Sequence, residues 1–103
     1  MLGDELAGLL ERAQPLQLMP NHVCVDRLEV ERIVARLGAQ VDQAGFGRVG
    51  ADADEAVLRA ARAVGKAVRR GYQVPFTDQV RLPRRRAQAF AAALRASLDG
   101  RTA

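Results

Sequence analysis

The chain has 103 residues, 49% of them hydrophobic, a formal net charge of +4 and a single cysteine, Cys24. That length gives one domain, 1–103, large enough to bury a core without metal, and one cysteine excludes an internal disulfide and fits a reducing compartment. No apolar run approaches the roughly 18 residues of a membrane span, and the acidic start MLGDELAGLLERA is unlike a secretory leader, so a cytoplasmic protein is expected.

The net charge conceals a split. Through Val57 there are ten acids and five bases; from Leu58 onward there are two acids and eleven bases. The chain is acidic first and basic second. Lys66 is the only lysine, the arginine-for-lysine bias of a GC-rich, bacterial coding sequence.

A first helix is expected over Glu5 to Ala13, with Asp4 as N-cap and Leu6, Leu9, Leu10 and Ala13 on one face. Pro15 stops it. Leu16 to Met19 and His22 to Val25 alternate as the arms of a short hairpin turned by Pro20-Asn21. A second helix follows over Arg27 to Ala44, where Asp26 and Glu29 match a capping box. Its stripe is Leu28, Val30, Ile33, Val34, Leu37, Val41 and Ala44. Gly45, Gly47 and Gly50 then mark a central loop, 45–51, in which Phe46 is expected to plug the space between the halves.

The third helix is expected over Ala53 to Arg70, opened by Asp52 and Glu55 and closed by Gly71 at C′. Val74, Phe76, Val80 and Leu82 alternate as a second hairpin, with Thr77 and Asp78 as turn formers. Pro83 sits where a helix can begin. Ala87, Phe90, Ala91, Leu94 and Leu98 carry the fourth helix to Gly100.

The two halves share one plan. Shifted by 58, Leu16 falls on Val74 and Leu18 on Phe76; shifted by 57 after the turn, Val23 falls on Val80, Val25 on Leu82, Ile33 on Phe90 and Leu37 on Leu94. The expected fold is α+β and mostly helical. It is a pseudo-twofold repeat of helix, β-hairpin and helix, with halves at 4–44 and 53–100. A lone hairpin is marginal in water, whereas two hairpins side by side give a four-stranded sheet that helices can cover. The alternative is an all-α chain with short irregular hairpins. The expected core is Leu18, Val23, Val25, Val34, Leu37, Val64, Val68, Phe76, Val80, Leu82, Phe90 and Leu94.

Few residues point to chemistry. His22 and Cys24 lie two apart on one strand face, but a metal site needs three or four ligands, and no second Cys or His exists. Asp52, Asp54 and Glu55 suit a helix start. Gly45 to Gly50 reads GxGxxG, yet a helix precedes it where a dinucleotide site needs a strand. No catalytic residue, metal or cofactor is expected. The strong polar feature is Arg81, Arg84, Arg85 and Arg86, with Arg69 and Arg70 across the hairpin. These six are the expected partner-binding residues.

VPFTDQVRLPR followed by an amphipathic helix resembles a short element near the N-terminus of actinobacterial DivIVA-like septal coiled-coil proteins, and ERAQPLQLMPNHVCVDR is similar to a more degenerate copy. QVRLP before a helix is also similar to the strand opening of ribbon–helix–helix DNA-binding proteins. The first resemblance implies a protein assembly module. The expected function is therefore a non-enzymatic protein–protein interaction module, self-associating or with a protein partner. The alternative is a small DNA- or RNA-binding protein that uses the basic half.

Overall fold

The computed structural model describes residues 2–44 and 51–102, with side chains described for 2–42 and 55–99. Among these the order is α1 (Leu2–Glu11), β1 (His22–Asp26), α2 (Arg27–Ala44), α3 (Ala51–Arg70), β2 (Tyr72–Gln73), β3 (Gln79–Pro83) and α4 (Arg84–Thr102). β1 runs straight into α2, where the Asp26 carboxylate accepts the Glu29 N–H at 3.0 Å, the cap that the sequence pattern requires. β3 runs into α4 in the same way, with Pro83 in the place of Asp26.

The sheet is antiparallel, in the order β1-β3-β2. Val23 lies opposite Leu82, Cys24 opposite Arg81 and Val25 opposite Val80. A shift of 57 turns Val23–Leu82 into Val80–Val25 and leaves Cys24–Arg81 as it is, so a local twofold passes through that central pair. The bonds that close the ribbon obey the same shift: Arg27 N–H to Asp78 O at 2.8 Å, and Arg84 N–H to Asn21 O at 2.7 Å. Helices also pair across the halves, α1 with α4 and α2 with α3. The fold is α+β, mostly helical and pseudo-twofold.

The two largest departures from expectation lie in the loops. The sheet has three strands rather than four. Leu16 to Met19 forms no strand, and the first half keeps only the bridge Pro15–Val23. That bridge is the counterpart of the Gln73–Val80 pair between β2 and β3. Pro15 has no N–H to give to a ladder. Beyond it the backbone turns on itself, through Met19 N–H to Leu16 O and His22 N–H to Met19 O.

The second departure concerns the core. Leu18 is 95% exposed and Phe76 fully exposed. Thr77 closes a turn over Phe76: its hydroxyl donates to Val74 O at 2.8 Å and accepts the Gln79 N–H at 3.1 Å. The tip of this hairpin is built by polar bonds, and Phe76 is carried outward with φ at 66°. A phenylalanine in the left-handed region is strained. Phe76→Gly should therefore raise stability by about 1 kcal/mol, measured as the urea midpoint at unchanged slope.

The rest of the expected core is in place. Val23, Val25, Leu37, Val64, Val68, Val80, Leu82 and Leu94 are buried, while Val34 and Phe90 are half-buried against them. Strand burial alternates, so Val23, Val25, Val80 and Leu82 face the helices and His22, Cys24, Asp26, Gln79 and Arg81 face the other way. α1 begins at Leu2, which puts Asp4 inside its first turn rather than at the cap. α4 continues through Gly100 to Thr102. The Gly45 to Gly50 loop with Phe46 lies outside the described residues, as do the side chains of Asp52 and Asp54. No helix among the described residues is long and apolar enough to cross a membrane.

Candidate interaction site

Arg81 projects from the sheet face opposite the core, as its place in the alternation requires. It is not free. Its guanidinium lies 4.5 Å from the centre of the Tyr72 ring, and Nη1 is 3.2 Å from the Met19 sulfur. The sheet register sets this up, because Tyr72 is the cross-strand partner of Arg81.

Arg84, Arg85 and Arg86 form the first turn of α4 and are exposed. Arg84 and Arg85 line a shallow cleft of about 460 Å³ with Asn21, His22 and Gln88. Arg86 lies along the helix toward its C-terminus, with its guanidinium 5.5 Å from the centre of the Phe90 ring. Arg69 belongs elsewhere. It lines a second cleft, of about 620 Å³, between α2 and α3, together with Arg62 and Lys66. Arg70 is exposed at the end of α3. The six expected residues are thus divided over separate surfaces, and the two clefts share no residue.

The acids explain the lopsided charge. Arg95 of α4 bonds both Asp4 and Glu11 of α1, the latter through two contacts at 2.8 and 3.3 Å. Arg32 takes Glu29 and lies 3.8 Å from Glu5. Arg27 lies 3.9 Å from Glu31 and 3.8 Å from Asp78. Five of the ten first-half acids, Asp4, Glu5, Glu11, Glu29 and Glu31, therefore lie against Arg27, Arg32 and Arg95. Among the described residues, no carboxylate pairs with Arg62, Lys66, Arg69, Arg70, Arg84, Arg85 or Arg86.

The hydrogen bonds from Arg95 hold the Glu11 carboxyl below its ordinary value; slight desolvation opposes this, and the charges of Arg95 and Arg12 add to it. A carboxyl lowered on folding favours the folded state above its ordinary range, and that contribution is lost as the pH falls through the lowered value. Arg95 and Arg32 are both raised, each first by the hydrogen bond it gives, to Glu11 and to Glu29.

His22 and Cys24 share the outward face of β1, both half-buried, and the Cys24 thiol is free. The His22 Nδ1 atom is buried without a hydrogen-bond partner. Among the described residues no three His, Cys, Asp or Glu side chains gather as a metal site would need.

Comparison with protein-family models, with curated proteins and with solved structures found no match. The arrangement of charge on the chain itself carries the functional argument. Arg62 and Lys66 are the residues that the sequence reading missed. Their signal was the i, i+4, i+7 stripe Arg62, Lys66, Arg69 on one helix face, hidden because attention to runs of arginine favours Arg84 to Arg86.

Proposed function

We propose that this chain is a non-enzymatic, cytoplasmic interaction module that receives the acidic surface of a protein partner on the exposed arginines at the start of α4. The supporting observation is the absence of any described carboxylate beside Arg84, Arg85 and Arg86, while Glu29 and Glu31 are engaged by Arg32 and Arg27. Three cations in the first turn of a helix oppose its dipole. Neither an acidic cap nor an ion pair offsets them among the described residues, which is the pattern of a surface kept for an external anion. The resemblance to DivIVA-like elements points the same way, toward assembly.

Nucleic-acid binding is the second reading. It is favoured by the start of α4, where Pro83 replaces a capping acid and three exposed arginines gather at a helix N-terminus, an arrangement that suits phosphate, although the Arg84 N–H is already taken by Asn21 O. The division of the cations between two clefts favours a protein partner over a continuous phosphate backbone.

Replacing Arg84, Arg85 and Arg86 with Ala separates the readings. Folding stability should hold or rise by about 0.3–1 kcal/mol as the unfavourable dipole contacts are lost, while capture of a protein partner weakens. An unchanged interaction profile rejects the proposal. Light scattering with and without random duplex DNA, at low and moderate salt, tests the second reading through its steep salt dependence.

A further inference from the structure

The twofold relation between the halves makes the α1–α4 seam a template for the α2–α3 seam. In the first, Arg95 reaches from α4 to Asp4 and Glu11, seven residues apart on α1. The equivalent positions in the second are Gly38 on α2, and Arg62 and Arg69 on α3. The charges are inverted, and the group between them is missing. A Cβ built on Gly38 would lie 4.0 Å from the Arg62 guanidinium. One arginine, Arg62, thus borders an open position, with Arg69 seven residues further along α3; by analogy with Arg95, the seam calls for one anionic group.

We propose that this seam is a socket for a carboxylate carried by an acidic helix of a protein partner, held between Arg62 and Arg69 with Lys66 beside them. The reading rests on the chain being an interaction module but uses different residues from the α4 cluster. Seven residues span roughly 10 Å of helix, so the two arginines form a gap into which a side chain from an adjacent helix can drop. The cleft floor is apolar and low, made by Val34 and Gly65. The opposite lip carries Glu31. That glutamate leans to Arg27, 3.9 Å away, and a uniform polyanion gains nothing from the apolar floor. A helix with one acidic edge and one apolar edge matches the cationic lip of α3 and the floor of Val34 and Gly65.

The test uses the full chain and its Gly38→Glu, Gly38→Ala, Arg62→Ala/Arg69→Ala and Arg84→Ala/Arg85→Ala/Arg86→Ala variants. The probes are a capped, fluorescein-labelled alanine–leucine helix of about 15 residues bearing glutamates seven residues apart, its glutamine counterpart, and a random duplex of about 20 base pairs. Anisotropy should show binding of the glutamate peptide and not of the glutamine peptide. Arg62→Ala/Arg69→Ala and Gly38→Glu should each weaken it about tenfold or more, the cost of roughly one charge-assisted contact. Gly38→Ala and the α4 triple variant should leave it unchanged, so failure of the α4 reading and failure of this one are told apart. Gly38→Glu should also melt above Gly38→Ala, because it supplies the missing carboxylate from within. The proposal is overturned if the glutamate peptide does not bind. It is equally overturned if Gly38→Glu still binds the peptide or melts no higher than Gly38→Ala, or if the duplex competes for Arg62 and Arg69 more strongly than the peptide.

Discussion

Leu94→Ala is expected to lower the free energy of unfolding by about 2–5 kcal/mol, the range for truncating a fully buried leucine. Leu94 has no exposed surface and sits on α4, the helix that packs on both α1 and α3. Its loss leaves a cavity where the two halves meet, and the neighbours are helices already clamped across the local twofold, so little collapse is available to fill it. Domains of this size are stable by about 5–15 kcal/mol in all, which makes the variant marginal. Phe90→Ala is the control. Phe90 lies one turn earlier on α4 but is half-buried, with Arg86 over its ring. It should cost less than the about 3–5 kcal/mol typical of a buried phenylalanine. Urea denaturation of both variants decides the matter: a Phe90 variant weaker than the Leu94 variant would mean that α4 is rotated from the orientation described.

What could be read from the sequence follows from which physical effect sets each segment. The four helices were legible because burial imposes a 3.6-residue period over ten or more residues, and Asp26 with Glu29 marked the start of α2. β1 and β3 were legible because Val23, Val25, Val80 and Leu82 alternate on a sheet with one face buried. That the two halves would share one sheet followed from the repeat; that β1 and β3 are the arms that meet did not. Leu18 and Phe76 were misread because alternation was extended into segments too short to be strands. β2 has two residues, and beyond it local polar bonds from Thr77, rather than burial, decide where Phe76 goes. Pro15 carried the information that the fourth strand would be missing, and the pattern of apolar residues outweighed it. At the site, the outward direction of Arg81 was legible from alternation. That Tyr72 and Met19 would hold it was not: Met19 comes from a loop far away in the chain, and Tyr72 lies opposite Arg81 only because β2 begins ahead of the strand expected from Val74. The same holds for the two seams: the spacing of Arg62 and Arg69 is written in the sequence, but the inversion relative to Asp4 and Glu11 has meaning only once α1 and α4, and α2 and α3, are seen to pack together.

Gly71→Ala should destabilise the chain by about 1–3 kcal/mol, the cost of overpacking a tight site, although Ala is a small residue at a helix end. A Cβ at Gly71 would lie 2.6 Å from Val80 Cγ1 and 3.2 Å from each of the carbonyl oxygens of Ala67 and Arg81. None of these can move cheaply. Val80 is buried and β-branched, hence stiff at χ1, and the two carbonyls belong to α3 and β3. This close approach lets the chain leave α3 and enter β2 directly, bringing Tyr72 opposite Arg81. At the equivalent point of the first half stands Ala13, which has a Cβ, followed two residues later by Pro15, and there no strand forms. Gly71 is therefore a structural reason that one hairpin exists and its counterpart does not. The single tyrosine gives a local readout, since Tyr72 is stacked under Arg81 only when β2 is docked. In Gly71→Ala the near-ultraviolet signal of Tyr72 should fall at temperatures where the helical signal persists, because β2 contributes two residues to the sheet edge and α3 with α4 retain the core. A variant that melts with the parent and keeps its tyrosine signal would show that the α3–β2 junction has room for a side chain, and that the asymmetry between the hairpins rests on Pro15 alone.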